Sequence, residues 1–379
     1  LCLNYNRNIY LSPRLLNAIL RVNYVSLIKE KTIRLECFAN ELGFDGFGVT
    51  KPRSASGIER YKEWLSLGYE GEMTYMSRNF EKRSDLDMVF PGVKSVICLR
   101  TNYLTTDKNM GFVDELDHGD ISLYALNEDY HNVLIQRHRI LENKIKEEFE
   151  GSKTRVYIDT GPILEKPLAQ NAGLGWIGKH TNLITEDVGS YYFLSEILLD
   201  VALEESEPAV DRCGTCRSCI DICPTDAIVA PYILDSRKCI SYLTIELKGV
   251  IPIEFRKAIG NHIYGCDDCL SVCPWTKFSH TIVDPNLRAR SDLNAPKLSE
   301  LSEMDDAAFR KFFSRSPIKR TGHKRFLRNI LIAIGNSDDR SLLPIVKSLT
   351  SDRSSLIADT ARWALSHLTQ LDGKKNNNK

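Results

Sequence analysis

The first half of the chain alternates helical and strand-like patterns of apolar residues. In "SLIKEKTIRLECFANELGF", Leu35, Phe38, Ala39 and Leu42 fall on one face of a helix, and Gly43 ends it. A second helix is predicted for "YHNVLIQRHRILENKIKEEFEG". Strands are predicted for "FDGFGVT", "KSVICLR", "TRVYIDTGP" and "SYYFLSEILLD". This alternation predicts an α/β (α+β) layer domain.

The pattern changes after about residue 300. "HKRFLRNILIAIGN", "SLLPIVKSLTS" and "SSLIADTARWALSHL" each repeat apolar residues with a helical period. Paired helices with short turns resemble a HEAT-type unit, so we predict a small helical C-terminal piece. The acidic, proline-containing "LEESEPAVD" is typical of a linker between the α/β domain and the segment that follows it.

These patterns divide the chain into five parts. Residues 1–25 are predicted to be a non-native or disordered extension, because "LCLNYNRNIYLSPRLLNAILRVNYV" begins with Leu and lacks the architecture of a signal peptide. Residues 26–205 form the α/β domain, 206–285 a cysteine-rich domain, and 286–370 the helical piece. Residues 371–379 form a polar tail that we predict to be disordered.

Overall charge favours no class of partner, because Lys+Arg and Asp+Glu both number 50. Between residues 311 and 328, however, seven basic side chains occur without an acid: Lys311, Arg315, Lys319, Arg320, Lys324, Arg325 and Arg328. Such a block is typical of a phosphate-binding surface, and it is equally typical of a solvated helix face. No long apolar run indicates a membrane span, so we predict a reducing, cytoplasmic location.

Cysteines carry the clearest chemistry. "CGTCRSCIDICPTDAI" contains C-x2-C-x2-C-x3-C-P, the bacterial-ferredoxin pattern for 4Fe–4S clusters, in which the fourth cysteine ligates the other cluster of a pair. "CDDCLSVCPW" supplies three more cysteines, and "CISYLTIE" supplies the missing one. The exchange rule then predicts two ligand sets: Cys213, Cys216, Cys219 and Cys273, and Cys239, Cys266, Cys269 and Cys223.

Zinc is the alternative, because paired C-x2-C motifs also form tetrahedral zinc sites. A zinc site explains four cysteines and leaves both Cys-Pro endings unexplained. Cys2, Cys37 and Cys98 lie outside the motifs, and we interpret them as ordinary cysteines.

"AGLGWIGKH" matches a dinucleotide-binding fingerprint by spacing. That fingerprint follows a strand and opens a helix, whereas the preceding "ILEKPLAQNA" is itself helical in pattern, so we reject a nicotinamide cofactor. We predict instead that these glycines let backbone approach a bulky, flat group, and that Trp176, Lys179 and His180 face it.

Asp159 ends the strand in "VYIDTGP". A carboxyl group there serves either as a general acid or, more often, as a cap for the turn. The clusters also predict a second redox centre in the first domain, because clusters rarely perform bond chemistry alone.

Together these motifs resemble the epoxyqueuosine reductase family over roughly Ser26 to Leu368. The passages that carry the resemblance are "DTGPILEKPLAQNAGLGWIGKHTNLIT", "CGTCRSCIDICPTDAI", "CISYLTIE", "GCDDCLSVCPW" and "SPIKRTGHKRFLRNILIAIGNS". The resemblance implies base-off cobalamin in a domain similar to that of reductive dehalogenases. It also implies two 4Fe–4S clusters in a ferredoxin-like arrangement and a HEAT-like end.

The resemblance also implies roles for individual residues. Asp159 corresponds to the family's proton donor, which reverses the local preference for a turn cap. Candidate cobalamin contacts are Arg83, Tyr130, His131, Asp159, Gly175, Trp176, Lys179, His180 and Ser241. Candidate tRNA contacts are Lys319, Arg320, Lys324, Arg325 and Arg328. The stretch "DHGDISLYALNEDYH" departs from the family's basic, glycine-containing pattern.

The implied reaction is reduction of epoxyqueuosine to queuosine at the wobble position of tRNA, by a monomer that takes electrons from an external donor. Two rivals stay open. A reductive dehalogenase would use the same cofactors but would not need a basic helical end. A ferredoxin-type carrier would need neither Asp159 nor the large first domain.

Overall fold

The structure, a computed structural model, describes residues 13–52, 57–104, 116–282, 284–285 and 287–375. For residues 13–24 and 370–375 it describes only a helical backbone. The first helix begins at Pro13, inside the predicted extension of residues 1–25. Residues 1–12 and 376–379 of the two predicted disordered ends lie outside the described residues. The predicted domain boundaries therefore stay a proposal.

The elements of the first domain follow the predicted order. They are α1 (Pro13–Glu41), β1 (Gly46–Thr50), α2 (Ile58–Ser66), α3 (Thr74–Arg78), α4 (Phe80–Ser84), β2 (Ser95–Asn102), β3 (Asp120–Ile121), α5 (Tyr130–Glu148), β4 (Thr154–Tyr157), α6 (Glu165–Asn171), β5 (Trp176–Ile177), β6 (Leu183–Ile184) and β7 (Tyr192–Leu199).

The central sheet has the strand order β1-β2-β7-β4, and each neighbouring pair is antiparallel. The predicted strands are confirmed, but alternating strands and helices did not produce a parallel sheet. Because the chain between β2 and β7 is long, β7 can pair with β2 in either a parallel or an antiparallel direction. The fold is therefore α+β in character.

Helices cover both faces of this sheet. Leu35 and Leu134 of α1 and α5 pack with Ile97 and Ile197 on one face. Leu168 of α6 belongs to a second core on the opposite face, together with Val96, Cys98 and Leu198. Because side chains alternate along a strand, odd-numbered positions of β7 face the first core and even-numbered positions face α6.

One glycine sets how closely α6 approaches the sheet. A Cβ atom added to Gly48 of β1 would lie 2.0 Å from the carbonyl oxygen of Ala172, which follows α6. Only glycine permits this approach of backbone to backbone.

The cysteine-rich segment consists of short elements: α7 (Ser218–Asp221), β8 (Ile228–Ala230), β9 (Ile233–Leu234), α8 (Ile240–Ile245), α9 (Ile253–Arg256), β10 (His262–Tyr264) and α10 (Asp268–Ser271). β10 pairs in parallel with β3 of the first domain. Residues 203–211, the predicted linker, form no helix or strand.

The helical end comprises α11 (Leu298–Ser302), α12 (Asp306–Phe312), α13 (His323–Asn336), α14 (Leu343–Leu349) and α15 (Ser355–Lys375). α13 lies at its centre and contacts α11, α12, α15 and β10. The predicted helices are confirmed, whereas a HEAT-like arrangement stays a prediction. Across the described part of the chain, every helix is too short or too polar to cross a membrane.

Candidate functional site

Four cysteines from the two halves of the cysteine-rich segment line one cavity of about 300 Å³. They are Cys213, Cys216, Cys219 and Cys273, the set that the exchange rule predicts. Trp275 and Phe278 complete one wall, and the cavity opens to the surface. All four thiols are free in the structure, and deprotonated thiols are the ligands that 4Fe–4S clusters require.

The second predicted set also lies together. Burial raises the pKa of the Cys239 thiol to about 11, and the neighbouring Cys266 and Cys223 add to the rise. Burial likewise raises the pKa of Cys269 well above its usual value, with Cys266 and Cys239 contributing. Thiols influence one another in this way only at short range, so these four cysteines lie near one another, and their assignment to one cluster stays a prediction.

A larger cavity of about 320 Å³ lies between the α+β domain and the cysteine-rich segment. Its lining from the first domain includes Tyr130, Asp159 and Glu165, and the cysteine-rich segment contributes Ser241 and Cys266. Cys266 is therefore shared between this Asp159 cavity and the second cysteine set. A cluster held there would lie against the cavity wall.

Aromatic rings form much of that wall. The ring of Phe193 stacks on Tyr130 with centroids 4.2 Å apart and contacts Tyr103 at 4.7 Å. Tyr124 packs edge-on against Tyr130. Flat apolar walls with a few polar groups are typical of a site for a large planar ligand.

Asp159 stands in an unusual backbone conformation at the mouth of this cavity. Its φ of 56° lies in the left-handed region, directly after β4. Its backbone N–H donates to Oε1 of Glu165 at 2.9 Å, and the Tyr130 hydroxyl donates to its Oδ2. Glu165 thus fixes the backbone of Asp159 and Tyr130 orients its carboxyl group, while the residue stays exposed.

Two further carboxyl groups lie behind Asp159. Burial raises the pKa of Glu165 to about 8, and the charge of Asp159 adds to this. Burial and the neighbouring Glu165 raise the pKa of Glu196 well above its usual value. Perturbed carboxyl groups beside a cavity are typical of sites that move protons.

The predicted cobalamin contacts divide between the two cavities. Tyr130, Asp159 and Ser241 line the Asp159 cavity. Lys179 and His180 line the cysteine cavity instead, where Nζ of Lys179 donates to the carbonyls of Gly214 and Cys216. Lys179 and His180 are thus not among the described lining residues of the Asp159 cavity, and their role as cobalamin contacts stays a prediction.

The glycine-rich turn packs closely against neighbouring backbone and also lines a third cavity of about 380 Å³, beside Arg100 and Asp187. A Cβ atom on Gly175 would lie 2.3 Å from the carbonyl oxygen of Ile184, and one on Gly173 would lie 2.6 Å from that of Glu207. Trp176 packs edge-on against Trp275 beside the cysteine cavity. Gly175 and Trp176 are not among the described lining residues of the Asp159 cavity, and their role as cobalamin contacts stays a prediction.

Arg83 is the remaining candidate from the first domain. Its side chain is only 8% exposed, its Nη2 contacts the sulfur of Met76, and its Nη1 has no partner within the described residues. A buried guanidinium group with a free N–H is costly unless a ligand accepts from it.

The basic block separates into exposed and buried members. Lys319, Arg320 and Lys324 are exposed. Arg328 is 0% exposed, and its guanidinium donates to the carbonyls of Leu243, Leu247 and Gly249. The prediction that Arg328 contacts tRNA is therefore wrong, because its donors are already used inside the fold.

Arg325 is half-buried and resembles Arg328 in this respect. Its guanidinium donates to the carbonyls of Thr321, Ile245 and Arg320. It thus fixes local backbone and offers little to a phosphate.

Two of these exposed bases, Lys319 and Arg320, border a surface cavity of about 310 Å³, which we call the basic cup. Its lining residues are Asp129, Asn132, Arg310, Ser314, Arg315, Ser316, Lys319 and Arg320. The cup adjoins the Asp159 cavity through the start of α5. Nδ1 of His131 lies 2.8 Å from Oδ1 of Asp129 and 3.4 Å from Nη1 of Arg320. The His131 ring packs against the Tyr130 ring, with centroids 4.2 Å apart.

Sequence reasoning missed several cavity residues, including Glu165, Lys166 and Tyr192. Glu165 follows the "DTGP" turn by a few residues, and its charge within a mostly apolar stretch was an available signal. Tyr192 lies in a strand pattern that gave no sign of a ligand site.

Comparisons with known proteins agree with this arrangement. A family model described as a 4Fe-4S double cluster binding domain matches residues 212–276, a range that contains all eight motif cysteines. A second, described as epoxyqueuosine reductase QueG, DUF1730, matches residues 83–160. The chain therefore carries a 4Fe–4S double-cluster domain, preceded by a segment that matches the epoxyqueuosine reductase model.

Full-length relatives are also similar. The chain is 42% identical over 336 residues to the epoxyqueuosine reductase of Xanthomonas campestris pv. campestris, which covers 88% of this chain and 94% of that protein. A crystal structure of an epoxyqueuosine reductase with an epoxyqueuosine-modified tRNA-Tyr stem loop aligns with a TM-score of 0.82 at 30% identity, covering 91% of this chain and 94% of that one. The Bacillus subtilis enzyme, described with its catalytic aspartate loop swung out of the active site, aligns with a TM-score of 0.81 at 30% identity, covering 88% and 89%.

Proposed function

The chain belongs to the epoxyqueuosine reductase family, and we propose that it reduces epoxyqueuosine to queuosine at the wobble position of tRNA. It is an oxidoreductase, and we infer that it binds cobalamin and two 4Fe–4S clusters, which would supply the electrons for the reduction. One observation carries this proposal: Cys266 belongs to a cysteine set and also lines the cavity of Asp159. An electron source and a proton source thus meet at one cavity.

The residues of the Asp159 cavity suit a corrin. Stacked aromatic rings offer flat apolar surface. Arg83 lies outside the described lining of this cavity, and its buried Nη1 has no partner among the described residues. Tyr130, Ser241 and Arg83 would hold the cofactor, which supplies an electron-rich metal centre to the epoxide when bound.

Asp159 would hold a proton at its carboxyl group and give it to the epoxide oxygen. Tyr130 would orient the carboxyl group through its hydroxyl, and Glu165 would fix the loop through the Asp159 N–H. The exposed position of Asp159 in the cavity lets a bound substrate reach it. Over the whole reaction, two electrons and two protons convert the epoxide to an alkene and water.

The basic cup would bind the anticodon backbone. A wobble base must leave the anticodon stack to enter the cavity, and single-stranded loops allow this at low cost. Lys319, Arg320 and Lys324 would neutralise nearby phosphates. A relative solved with an epoxyqueuosine-modified stem loop supports this class of substrate.

We further propose that the enzyme acts as a cytoplasmic monomer. The cysteine cavity around Cys213 opens to the surface on the side of Trp275 and Phe278, where a separate electron donor could approach. Electrons would pass from that cluster to the one beside the Asp159 cavity.

Nucleoside mass spectrometry of tRNA tests the proposal. Cells that lack the gene should accumulate epoxyqueuosine, the wild-type copy should clear it, and an Asp159→Ala copy should not. Asp352→Ala, which changes an exposed aspartate in a helix connection, is the matched control and should restore queuosine. Normal queuosine in the deleted strain would contradict the proposal.

A further inference from the structure

The proposed reaction consumes two protons, and Asp159 holds one. Once a substrate fills the cavity, water has poor access to the Asp159 carboxylate. The second proton therefore needs a source inside the protein. This reasoning rests on the proposed function, and the structure contains a group of residues that suits the need.

Glu196 is buried in a place where a charge is costly. It lies on β7 opposite Cys98 of β2 and Tyr157 of β4, and its side chain faces the core beneath α6. It is 0% exposed, and neither carboxyl oxygen receives a donor hydrogen bond from any described residue. An ionised carboxylate in such a site would be strongly disfavoured.

Glu165, the first residue of α6, is the polar group that faces Glu196. Its Oε1 accepts the backbone N–H of Asp159, so it links the buried Glu196 to the exposed Asp159. Two carboxyl groups can hydrogen-bond to each other only when at least one is protonated, because ionised carboxylates accept and do not donate.

The surrounding groups do not remove this requirement. Nζ of Lys166 donates to the carbonyl of Thr181 and to the Asn182 side chain. From the neighbouring strands, Cys98 and Tyr157 face Glu196, and neither donates to it. The positive charge of Lys166 favours an ionised Glu165, but burial and the negative charge of Asp159 outweigh it and raise the pKa of Glu165.

We propose that Glu165 and Glu196 are a proton store that reloads Asp159 within one catalytic cycle. After Asp159 has given its proton to the epoxide oxygen, the O–H bond of Glu165 breaks and an O–H bond forms on Asp159. The proton left on Glu196 is then shared between the two glutamates. No electrons move in this step, and water refills the pair through the cavity after product leaves.

Infrared spectroscopy of the protein without cofactors tests the protonation state directly. The wild type should show the carbonyl band of protonated carboxyl groups at pH 7, and the band should fade as the pH rises through about 8, where Glu165 titrates. Glu165→Gln and Glu196→Gln should each remove part of it. Glu142→Gln, which changes a partly buried glutamate bonded to Thr154, should not. A wild type without the band, or a band that both variants keep, would overturn the proposal.

Single-turnover kinetics with chemically reduced enzyme test the role. Glutamine has the shape of a protonated glutamate, and its side-chain oxygen can still accept the Asp159 N–H, but it cannot pass on a proton. Glu165→Gln should therefore fold, bind a stem loop with wild-type affinity and lose about ten- to hundredfold in rate. The wild-type rate should fall above about pH 8, and this fall should vanish in the variant. A purely structural Glu165 would leave both rate and pH profile unchanged, and that result would also overturn the proposal.

These two measurements separate the inference from the proposed function. If wild-type protein made no queuosine, the proposed function would be wrong. The infrared band would still show whether Glu165 and Glu196 hold a proton. If the wild type made queuosine and Glu165→Gln matched it at every pH, only the proton store would fail.

Discussion

Asp159 owes its orientation to single atoms of two neighbours. Its left-handed backbone directs the N–H towards Glu165, and the carboxyl group receives the hydroxyl of Tyr130. An aspartate tolerates this conformation better than most residues. The strain is held because both partners are themselves fixed, Tyr130 by its stack on Phe193 and Glu165 by α6.

Removing the Tyr130 hydroxyl should therefore slow the reaction while the fold is kept. Tyr130→Phe keeps the stacked ring and loses one hydrogen bond to the Asp159 carboxyl group. We therefore expect the single-turnover rate to fall by roughly ten- to hundredfold. Nucleoside mass spectrometry of a modified stem loop measures it. Tyr264→Phe, whose hydroxyl contacts Tyr124, is the control. Equal rates in the two variants would show that Tyr130 does not orient the acid.

The raised pKa of Glu165 also has a consequence for stability. Its pKa rises from 4.5 to about 8 on folding. Between these values the folded protein binds a proton that the unfolded chain has lost, so the free energy of unfolding decreases as pH rises, by up to about 1.4 kcal/mol per pH unit. Glu165→Gln should flatten this dependence in denaturant titrations. Glu142→Gln should keep the wild-type slope, and a wild-type slope in Glu165→Gln would contradict the assignment.

Sequence could reveal residues whose chemistry is encoded by local spacing. The cysteine motifs and the Asp159 turn are of that kind. The partnership of Glu165 with Glu196 depends on the register of β7 with β2 and β4, which no spacing in the sequence encodes. The tRNA-binding role predicted for Arg328 was wrong because a cluster of basic residues in the sequence does not show which side chains are buried.

At the scale of elements, the segment from Pro317 to the end of α13 carries two functions on two faces. The 3-10 helix Pro317–Thr321 presents Lys319 and Arg320 to the basic cup. α13 turns Arg328 inward to the carbonyls that follow α8. One short stretch of sequence thus serves both a surface and a core.

The exposed face should respond to salt. Lys319→Ala and Arg320→Ala should weaken binding of a tRNA stem loop, and each lost phosphate contact should reduce the slope of log affinity against log salt by about one. Lys347→Ala, an exposed base on α14, is the control. Affinity and slope unchanged in both variants would move the tRNA site away from the basic cup.

Substitution of the buried Arg328 of α13 should lower the stability of the protein to denaturant. Arg328→Met keeps volume but leaves three backbone carbonyls without their donor, so we expect a loss of roughly 3 kcal/mol in the free energy of unfolding. Chemical denaturation measures it, with Lys324→Met as the exposed control. A variant as stable as the wild type would mean that water replaces the guanidinium.

Most elements were predictable because each has a clear hydrophobic period. The directions of the strands were not, since an antiparallel sheet and a parallel sheet can share the same alternation of elements. The pairing of β3 with β10 was equally hidden, because it joins two short strands far apart in sequence.

The whole molecule depends on exchange between the halves of its cysteine-rich segment. Cys273, from the second half, lines the cavity of the first-half cysteines. Cys273→Ala should therefore lower bound iron from about eight to about four per chain, because one cluster loses a ligand. Iron analysis and electron paramagnetic resonance measure this. Cys37→Ala, on the exposed face of α1, should keep full iron, and full iron in Cys273→Ala would contradict the exchange.

Tyr130 and His131 are consecutive residues at the start of α5, about 1.5 Å apart in helical rise. Tyr130 contacts the acid, and His131 contacts the basic cup. A phosphate in the cup and a base at Asp159 would thus be held at a nearly constant separation. The start of α5 would thus fix the distance between the bound phosphate and the reacting base. The base of a neighbouring anticodon nucleotide would then not reach the Asp159 carboxyl group.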